Sequence, residues 1–320
     1  MRIRLIKSSI AITLVLMVGV MLSACSEQRS PIRLGTNVWP GYEPLYLARS
    51  IELLDEEKIR LIAYPSASEV IRAFRNGSLE AASLTLDEAL LLLEKGIPIK
   101  IVLVHDISVG ADVIVARPEI AEVADLKGRT VGVESSALGA YAITRALQQH
   151  GLTIDQVRIR HLDVNQHEAA YRAGEIDAAV TFAPFSTRLS AMGAHEIFSS
   201  REIPGEIVDV LVVHENVFKT RLPELQHLTR AWFKALQHLE NQPREAAELM
   251  AQRLQLTPDE VLASYQGIHL PDRSGNVDML NGKQAQLSTT LRKLNQVMLE
   301  HKLIRDQISI DRILTGDALF

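Results

Sequence analysis

Apolar positions along the chain fall into three patterns. Ile10 to Leu22 is a continuous apolar run relieved only by Thr13 and Gly19. From about residue 32 to 207, short strand-like runs alternate with stretches of helical character. The strand-like runs are Ile32 to Gly35, Ile59 to Ala63 and Glu80 to Leu84, then Thr130 to Val133, Val157 to His161 and Asp177 to Thr181. Strands alternating with helices predict parallel βαβ units. Beyond about residue 214 the pattern turns helical. Leu222 to Leu239 places apolar residues near the 3.6 period, and Thr257-Pro258-Asp259-Glu260 is a capping box with Pro at the first helical position. Asn281-Gly282 precedes a last long helix running to about His301.

The middle pattern is a repeat at a constant offset of 97 residues. Leu34-Gly35 matches Val131-Gly132, and Phe74-Arg75-Asn76-Gly77 matches Tyr171-Arg172-Ala173-Gly174. Leu79-Glu80-Ala81-Ala82 matches Ile176-Asp177-Ala178-Ala179, and Gly96 matches Gly193. Ser66 to Glu69 and Asp163 to Gln166 read as paired capping boxes. Two similar α/β lobes follow, about 32–111 and 117–207. Strand-like runs Ala111 to Ala116 and Val208 to Val213 leave them as a two-stranded hinge. The C-terminal helices are expected to return to the first lobe and cover it. The resulting division is 31–114 plus 209–320 for lobe 1 and 115–208 for lobe 2, with a ligand cleft between them.

The apolar run at the start reads as an export signal. Arg2, Arg4 and Lys7 precede it, and Leu22-Ser23-Ala24-Cys25 supplies small residues at the cut. The run is short for a membrane span, although an uncut anchor is the alternative. The segment resembles a bacterial lipobox, which implies a signal peptide over 1–24, lipidation of Cys25 and a polar leader over 25–30. The other reading of Cys25 is an incidental cysteine. Loss of residues 1–24 moves the net charge from −5 to −8. That balance gives no basic footprint for nucleic acid. A single cysteine excludes a disulfide framework and any multi-cysteine metal site.

Several stretches carry a family resemblance. Gly35 to Ala48 (GTNVWPGYEPLYLA) resembles the start of solute-binding proteins of sulfonate, taurine, nitrate and thiamine-pyrimidine ABC importers. Gly110 to Val115, Asp125 to Val133 and Ala173 to Val180 are similar to later segments of the same proteins. The resemblance covers most of residues 31–213. It implies a type II periplasmic-binding-protein fold in the α/β class, two βαβ lobes on a two-stranded hinge with C-terminal helices. It also implies a small-molecule ligand, an ABC permease with its ATPase, and a periplasmic protein held to the membrane by its lipid. A membrane sensor protein is the alternative partner. A monomer is expected, because the cleft must open and close.

Ligands of open parallel sheets bind beyond the carboxyl ends of the strands. That rule selects Asn37, Trp39 and Tyr42 after the first strand, and Ser135 and Ser136 at the matching place in lobe 2. It also selects Thr85 and Phe182 after the third strands. Trp39 and Tyr42 suit a planar or apolar ligand part, or else plug the lobe core. Ser135 and Ser136 open a helix, where free N–H groups suit an anion, or they simply cap it. Glu134 beside them opposes an anion if it points inward. Asp112 and Asp209, on the crossover strands, suit an amine or amidine-like N–H, or else hydrogen-bond within the hinge. Glu43 is a weaker candidate of the same kind. Tyr46 serves packing equally well, and Thr85 reads equally as a helix cap. The pocket so assembled has aromatics, hydroxyls and carboxylates and no Arg, which leans toward a planar or amine-bearing ligand.

No catalytic constellation accompanies these residues. The chain has no G-x-S-x-G, no H-E-x-x-H and no P-loop lysine, and its ten His are scattered. The expectation is a binding protein, not an enzyme, with no metal and no cofactor.

Overall fold

In the computed structural model, residues 29–134, 137–281 and 286–320 are described. The expected signal peptide, Cys25, Ser135 and Ser136 lie outside the described residues. Eleven strands follow in order: β1 (Ile32–Thr36), β2 (Ile59–Ala63), β3 (Ala81–Thr85), β4 (Ile99–Ser108), β5 (Asp112–Ala116), β6 (Thr130–Val133), β7 (Arg158–His161), β8 (Ala178–Phe182), β9 (His195–Ser199), β10 (Val208–His214) and β11 (Ile268–His269). They form two sheets, ordered β11-β4-β10-β3-β1-β2 and β7-β6-β8-β5-β9. Both belong to one compact unit, Ile32–Phe320. This is the two-lobe α/β fold of periplasmic binding proteins.

The 97-residue repeat is physical. Leu34 and Gly35 of β1 lie opposite Ala81 and Ala82 of β3, and Val131 and Gly132 of β6 lie opposite Ala178 and Ala179 of β8. The Arg33 N–H donates to Glu80 Oε2 at 2.8 Å, and the Thr130 N–H donates to Asp177 Oδ2 at 2.7 Å. A side chain on Gly35 would come within 2.3 Å of Leu79 Cδ1, and one on Gly132 within 2.9 Å of Ile176 Cδ1. Each first strand thus uses glycine to admit the same apolar residue from the turn before the third strand. The repeat slips once. Arg33 faces Arg60, but Thr130 faces Arg158, one position beyond the constant offset. The cause lies in the edge strand β7, which is largely exposed, whereas β2 buries Ile59 and Leu61. A strand without a buried face has weakly specified register.

The crossover strands are full members of the sheets. β5 runs antiparallel to β8 in the second sheet, with Asp112 opposite Phe182. β10 runs antiparallel to β3 in the first, with Asp209 opposite Thr85. Asp112 and Asp209 are themselves 97 apart, as are Thr85 and Phe182. Each copy therefore sends its last strand into the other copy's sheet. The chain changes sheets at 109–111 and again at 200–207, so the first crossing precedes the division at 114/115 read from the sequence. Hydrogen bonds bridge the crossing. Ser108 Oγ and Ser200 Oγ lie 2.7 Å apart, and the Gly110 N–H donates to Ser200 Oγ at 2.7 Å.

The C-terminal helices pack on the first sheet, as their apolar faces predict. Leu225, Leu228 and Trp232 from Leu222–Asn241, and Leu291, Leu294 and Met298 from Gln286–Glu300, share one core with Leu34, Leu84 and Val212. The second lobe has its own core of Ile114, Val131, Val133, Ile143, Leu147 and Phe198. Among the described residues no helix is long and apolar enough to cross a membrane.

Candidate functional site

A small cavity of about 30 Å³ lies between the two sheets. Asn37 follows β1, Thr85 ends β3, Glu134 follows β6, and Phe182 ends β8. All four line the cavity. Asp112 and Asp209 reach the same rim for another reason: β5 and β10 run antiparallel to their neighbours, so their first residues stand at the carboxyl edge of the parallel strands. Trp39, Tyr42, Ala67, Glu88, Leu138, Gly139, Val180 and Thr181 complete the wall. Seven of the nine sequence candidates for ligand contact therefore meet at one place, and the other two are Ser135 and Ser136.

An aromatic cluster joins the lobes beside this space. Trp39 and Tyr42 pack with Val164, Phe182 and Phe185. Trp39 and Phe182 meet edge to face, with centroids 5.2 Å apart and planes at 86°. The Trp39 indole N–H donates to Asp106 Oδ2 at 3.1 Å. Gly41 makes room for that bond, since a Cβ there would lie 2.0 Å from Asp106 Oδ2 and 2.3 Å from Trp39 Nε1. The Tyr42 hydroxyl donates to Asp209 Oδ1.

The carboxyls of this region are buried and crowded. Burial lifts Asp112 to about 7, opposed by a hydrogen bond from Ser108 and reinforced by the Asp87 charge. Asp106 and Asp209 face each other across β4 and β10. Burial, then the neighbouring acidic charges, pushes both upward. Asp112 Oδ2 and the Thr181 hydroxyl have no hydrogen-bond partner. Thr85 caps the helix Leu86–Glu94, and its N–H donates to Glu88 Oε2 at 3.0 Å. Glu134 points inward and accepts from the Ser68 N–H at 2.9 Å and from its hydroxyl at 3.1 Å. Glu134 thus occupies the N-terminus of the helix Ala67–Arg75 from the opposite lobe. Arg188 makes a second contact across the lobes, donating to Leu254 O at 3.3 Å and Gln255 Oε1 at 3.1 Å.

Glu43 does not serve the cleft. It is fully buried and paired with Arg253, which also donates to Thr36 Oγ1 and Asn37 O at 3.2 Å each. Arg253 stacks 3.6 Å from the Tyr46 ring centroid, so Tyr46 is a packing residue. The guanidinium fastens the loop that carries Asn37 and Trp39 from behind. Sequence reasoning missed Arg253, Asp106, Ser68 and Thr181. Thr181 alone had a signal, its place one residue before Phe182. The others reach the site from 66 to 217 positions away from their partners.

A family model described as the NMT1-like family matches residues 26–255. The chain belongs to the NMT1-like family. A protein of Escherichia coli (strain K12) named as aliphatic sulfonates-binding is 21% identical over 95% of both chains. The alkanesulfonate-binding protein SsuA from Xanthomonas axonopodis pv. citri, solved bound to MOPS, superposes with a TM-score of 0.75 at 18% identity. The match covers 88% of this chain and 97% of that one. The desulfurization enzyme DszB superposes with a TM-score of 0.65 at 17% identity, over 91% and 98%. The fold of this NMT1-like chain therefore serves both binding and catalysis, and its own residues must decide between them.

Proposed function

We propose that the chain is a lipid-anchored extracytoplasmic solute-binding protein of an ABC importer. It closes on a small organic ligand between its lobes and presents the closed form to a permease and its ATPase. The cavity at the carboxyl edges of both sheets, closed over by Trp39–Phe182 and Ser68–Glu134, carries this reading. The two bodies that move are the lobes read as 31–114 plus 209–320 and 115–208, with the first boundary set back to the sheet crossing at 109–111. Asn37, Trp39, Tyr42, Thr85, Asp112, Phe182 and Asp209 are the proposed ligand contacts, with Ser135 and Ser136 beside them. Sulfonate, taurine, nitrate and pyrimidine-like solutes are the classes that the family resemblance brings forward. The lipid on Cys25 would hold a monomer at the membrane face of the periplasm. A ligand-sensing subunit of a membrane signalling protein would use the same closure, and the neighbouring genes distinguish the two. An enzyme is disfavoured, because among the described residues the carboxyls here have no nucleophile or base partner arranged around a reacting centre.

The test is native mass spectrometry of the protein isolated from its own periplasm, with thermal-shift titration of any released solute. A bound small molecule that stabilises the protein in proportion to its concentration is expected. A protein that carries nothing and responds to no solute extract would refute the reading. Cys25→Ala should move the protein from the membrane fraction to the soluble fraction, and unchanged fractionation would remove the lipid anchor.

A further inference from the structure

We infer that the cleft is selective for an organic cation bearing N–H donors, a protonated amine or amidinium, seated between Asp112 and the rings of Trp39 and Phe182. This inference rests on the solute-receptor reading above and names the ligand class of that same site.

The wall carries four carboxyl side chains, Glu88, Asp112, Glu134 and Asp209, and none of its described residues is Arg, Lys or His. Asp106 stands close behind, bonded to Trp39. Once ionised, these carboxyls repel an anionic solute and attract a cationic one. Of the helix starts at the cavity, that of Ala67–Arg75 is filled by the chain's own Glu134.

Among the buried polar atoms of the wall that lack partners, two stand out. Asp112 is 5% exposed and Thr181 is 1% exposed; both line the cavity, and Asp112 Oδ2 and Thr181 Oγ1 have no hydrogen-bond partner. Leaving a carboxylate oxygen buried without a donor is costly, and a ligand N–H restores the missing bond. A positive ligand also lets the crowded carboxyls ionise together, which burial and mutual repulsion otherwise oppose.

The cation is polyatomic. Among the described residues, no group of three or more His, Cys, Asp or Glu is disposed to hold a metal ion. Trp39 and Phe182 instead line the cavity with aromatic rings, whose faces attract organic ammonium and amidinium groups.

Calorimetric titration of the purified protein with benzylamine, benzamidine, benzenesulfonate and benzyl alcohol tests the charge at constant ring size. Saturable binding of at least one of the two cations is expected, with no measurable binding of the sulfonate or the alcohol. Asp112→Asn should weaken that cation at least tenfold. Thr181→Val, which keeps shape and removes the hydroxyl, should weaken it severalfold and keeps the test available if Asp112→Asn does not fold. Binding of benzenesulfonate in preference to the amines would overturn the inference, as would amine binding untouched by both substitutions. Silence from all four compounds would overturn it too. The solute recovered from the periplasmic protein then separates the two readings. A bound anion or neutral molecule removes the cation class and keeps the receptor, whereas an empty protein removes both.

Discussion

Ser68 and Glu134 come from opposite lobes, and both donors of Ser68 converge on one oxygen of Glu134, at 2.9 and 3.1 Å. The carboxylate takes the place at a helix N-terminus where an anion is favoured. Hydrogen bonds to a charged group contribute about 1.5–3 kcal/mol each, and water returns part of that when the lobes separate. Glu134→Ala should therefore raise the ratio of open to closed protein by roughly tenfold or more. Small-angle scattering of the unliganded protein reads this as a larger radius of gyration. An unchanged radius would mean that the contact does not hold the lobes together.

Gly41 sits where the Trp39–Asp106 bond leaves no room for a Cβ. Gly41→Ala should break that bond and cost about 1–3 kcal/mol of stability. The only other tryptophan, Trp232, is far along the chain in the C-terminal helices. A change of tryptophan emission in Gly41→Ala that is lost in the Trp39→Phe background would assign the effect. Wild-type emission and stability would refute it.

The buried acids make stability depend on pH with an unusual sign. Asp112 sits at about 7 in the folded protein against an ordinary value of 3.8, and Asp106 and Asp209 are raised as well. Between about pH 4 and pH 7 the unfolded chain has released protons that the folded protein keeps. Stability contributed by these groups is therefore present below about pH 4 and declines as pH rises through the window. For Asp112 alone the limit is on the order of 4 kcal/mol, reduced if the cleft opens to water. The groups facing this trio are Asp87, Glu88, Glu134 and the Tyr42 hydroxyl, and none is a cation. Burial holds His105 neutral down to about 3 and His167 down to about 4, so both oppose the carboxyls and add stability as pH rises toward the ordinary His value of 6.5. Glu206 likewise opposes the raised carboxyls. Its burial is outweighed by hydrogen bonds from Arg145, Lys293 and Tyr141, which hold it at about 2, so its effect falls below about pH 4.5. Above the ordinary His value the carboxyls act alone, so the Tm of the unliganded protein should fall from pH 6.5 to 8, and Asp112→Asn should flatten that slope. A Tm that rises across the range in both proteins would contradict this account.

The two glycines of the repeat should not be equally tolerant. Gly35→Ala must displace Leu79, which is 1% exposed and would be overlapped at 2.3 Å, whereas Gly132→Ala meets Ile176 at 2.9 Å. Overpacking of this kind costs about 1–3 kcal/mol. The larger loss is expected at Gly35, with partial recovery in Gly35→Ala/Leu79→Val. Chemical denaturation midpoints compare the variants, and equal losses without recovery would refute the steric account.

The sequence carried the inner strands well because their neighbours are encoded locally. Gly35 with Leu79 and Gly132 with Ile176 are written in one reading frame of 97 residues, and their contacts reproduce it. The edge strand β7 escaped that logic, since few of its side chains are buried to hold the register. Trp39 and Phe182 could be found from topology, because a residue at or just beyond the carboxyl edge of a parallel strand faces the cleft, and Asp112 from its place on a crossover strand. Arg253 and Asp106 could not. Their roles depend on which distant helix or strand lies behind the first loop, and nothing near them in sequence marks it. Glu43 misled for the same reason, since its carboxylate is claimed by Arg253 from 210 positions away.

The exchange of β5 and β10 between the sheets has a consequence for how the chain acquires its shape. Every strand of the second sheet lies within residues 112–199, so that lobe can close on itself once this stretch has emerged. The first sheet cannot, because its middle position between β4 and β3 belongs to β10, at Val208–His214. Until then β3 and β4 have a gap between them, and their long-range pairing must await the later strand. The half written second is thus the first able to fold, and a fragment ending before residue 208 should hold a finished second lobe beside an unfinished first.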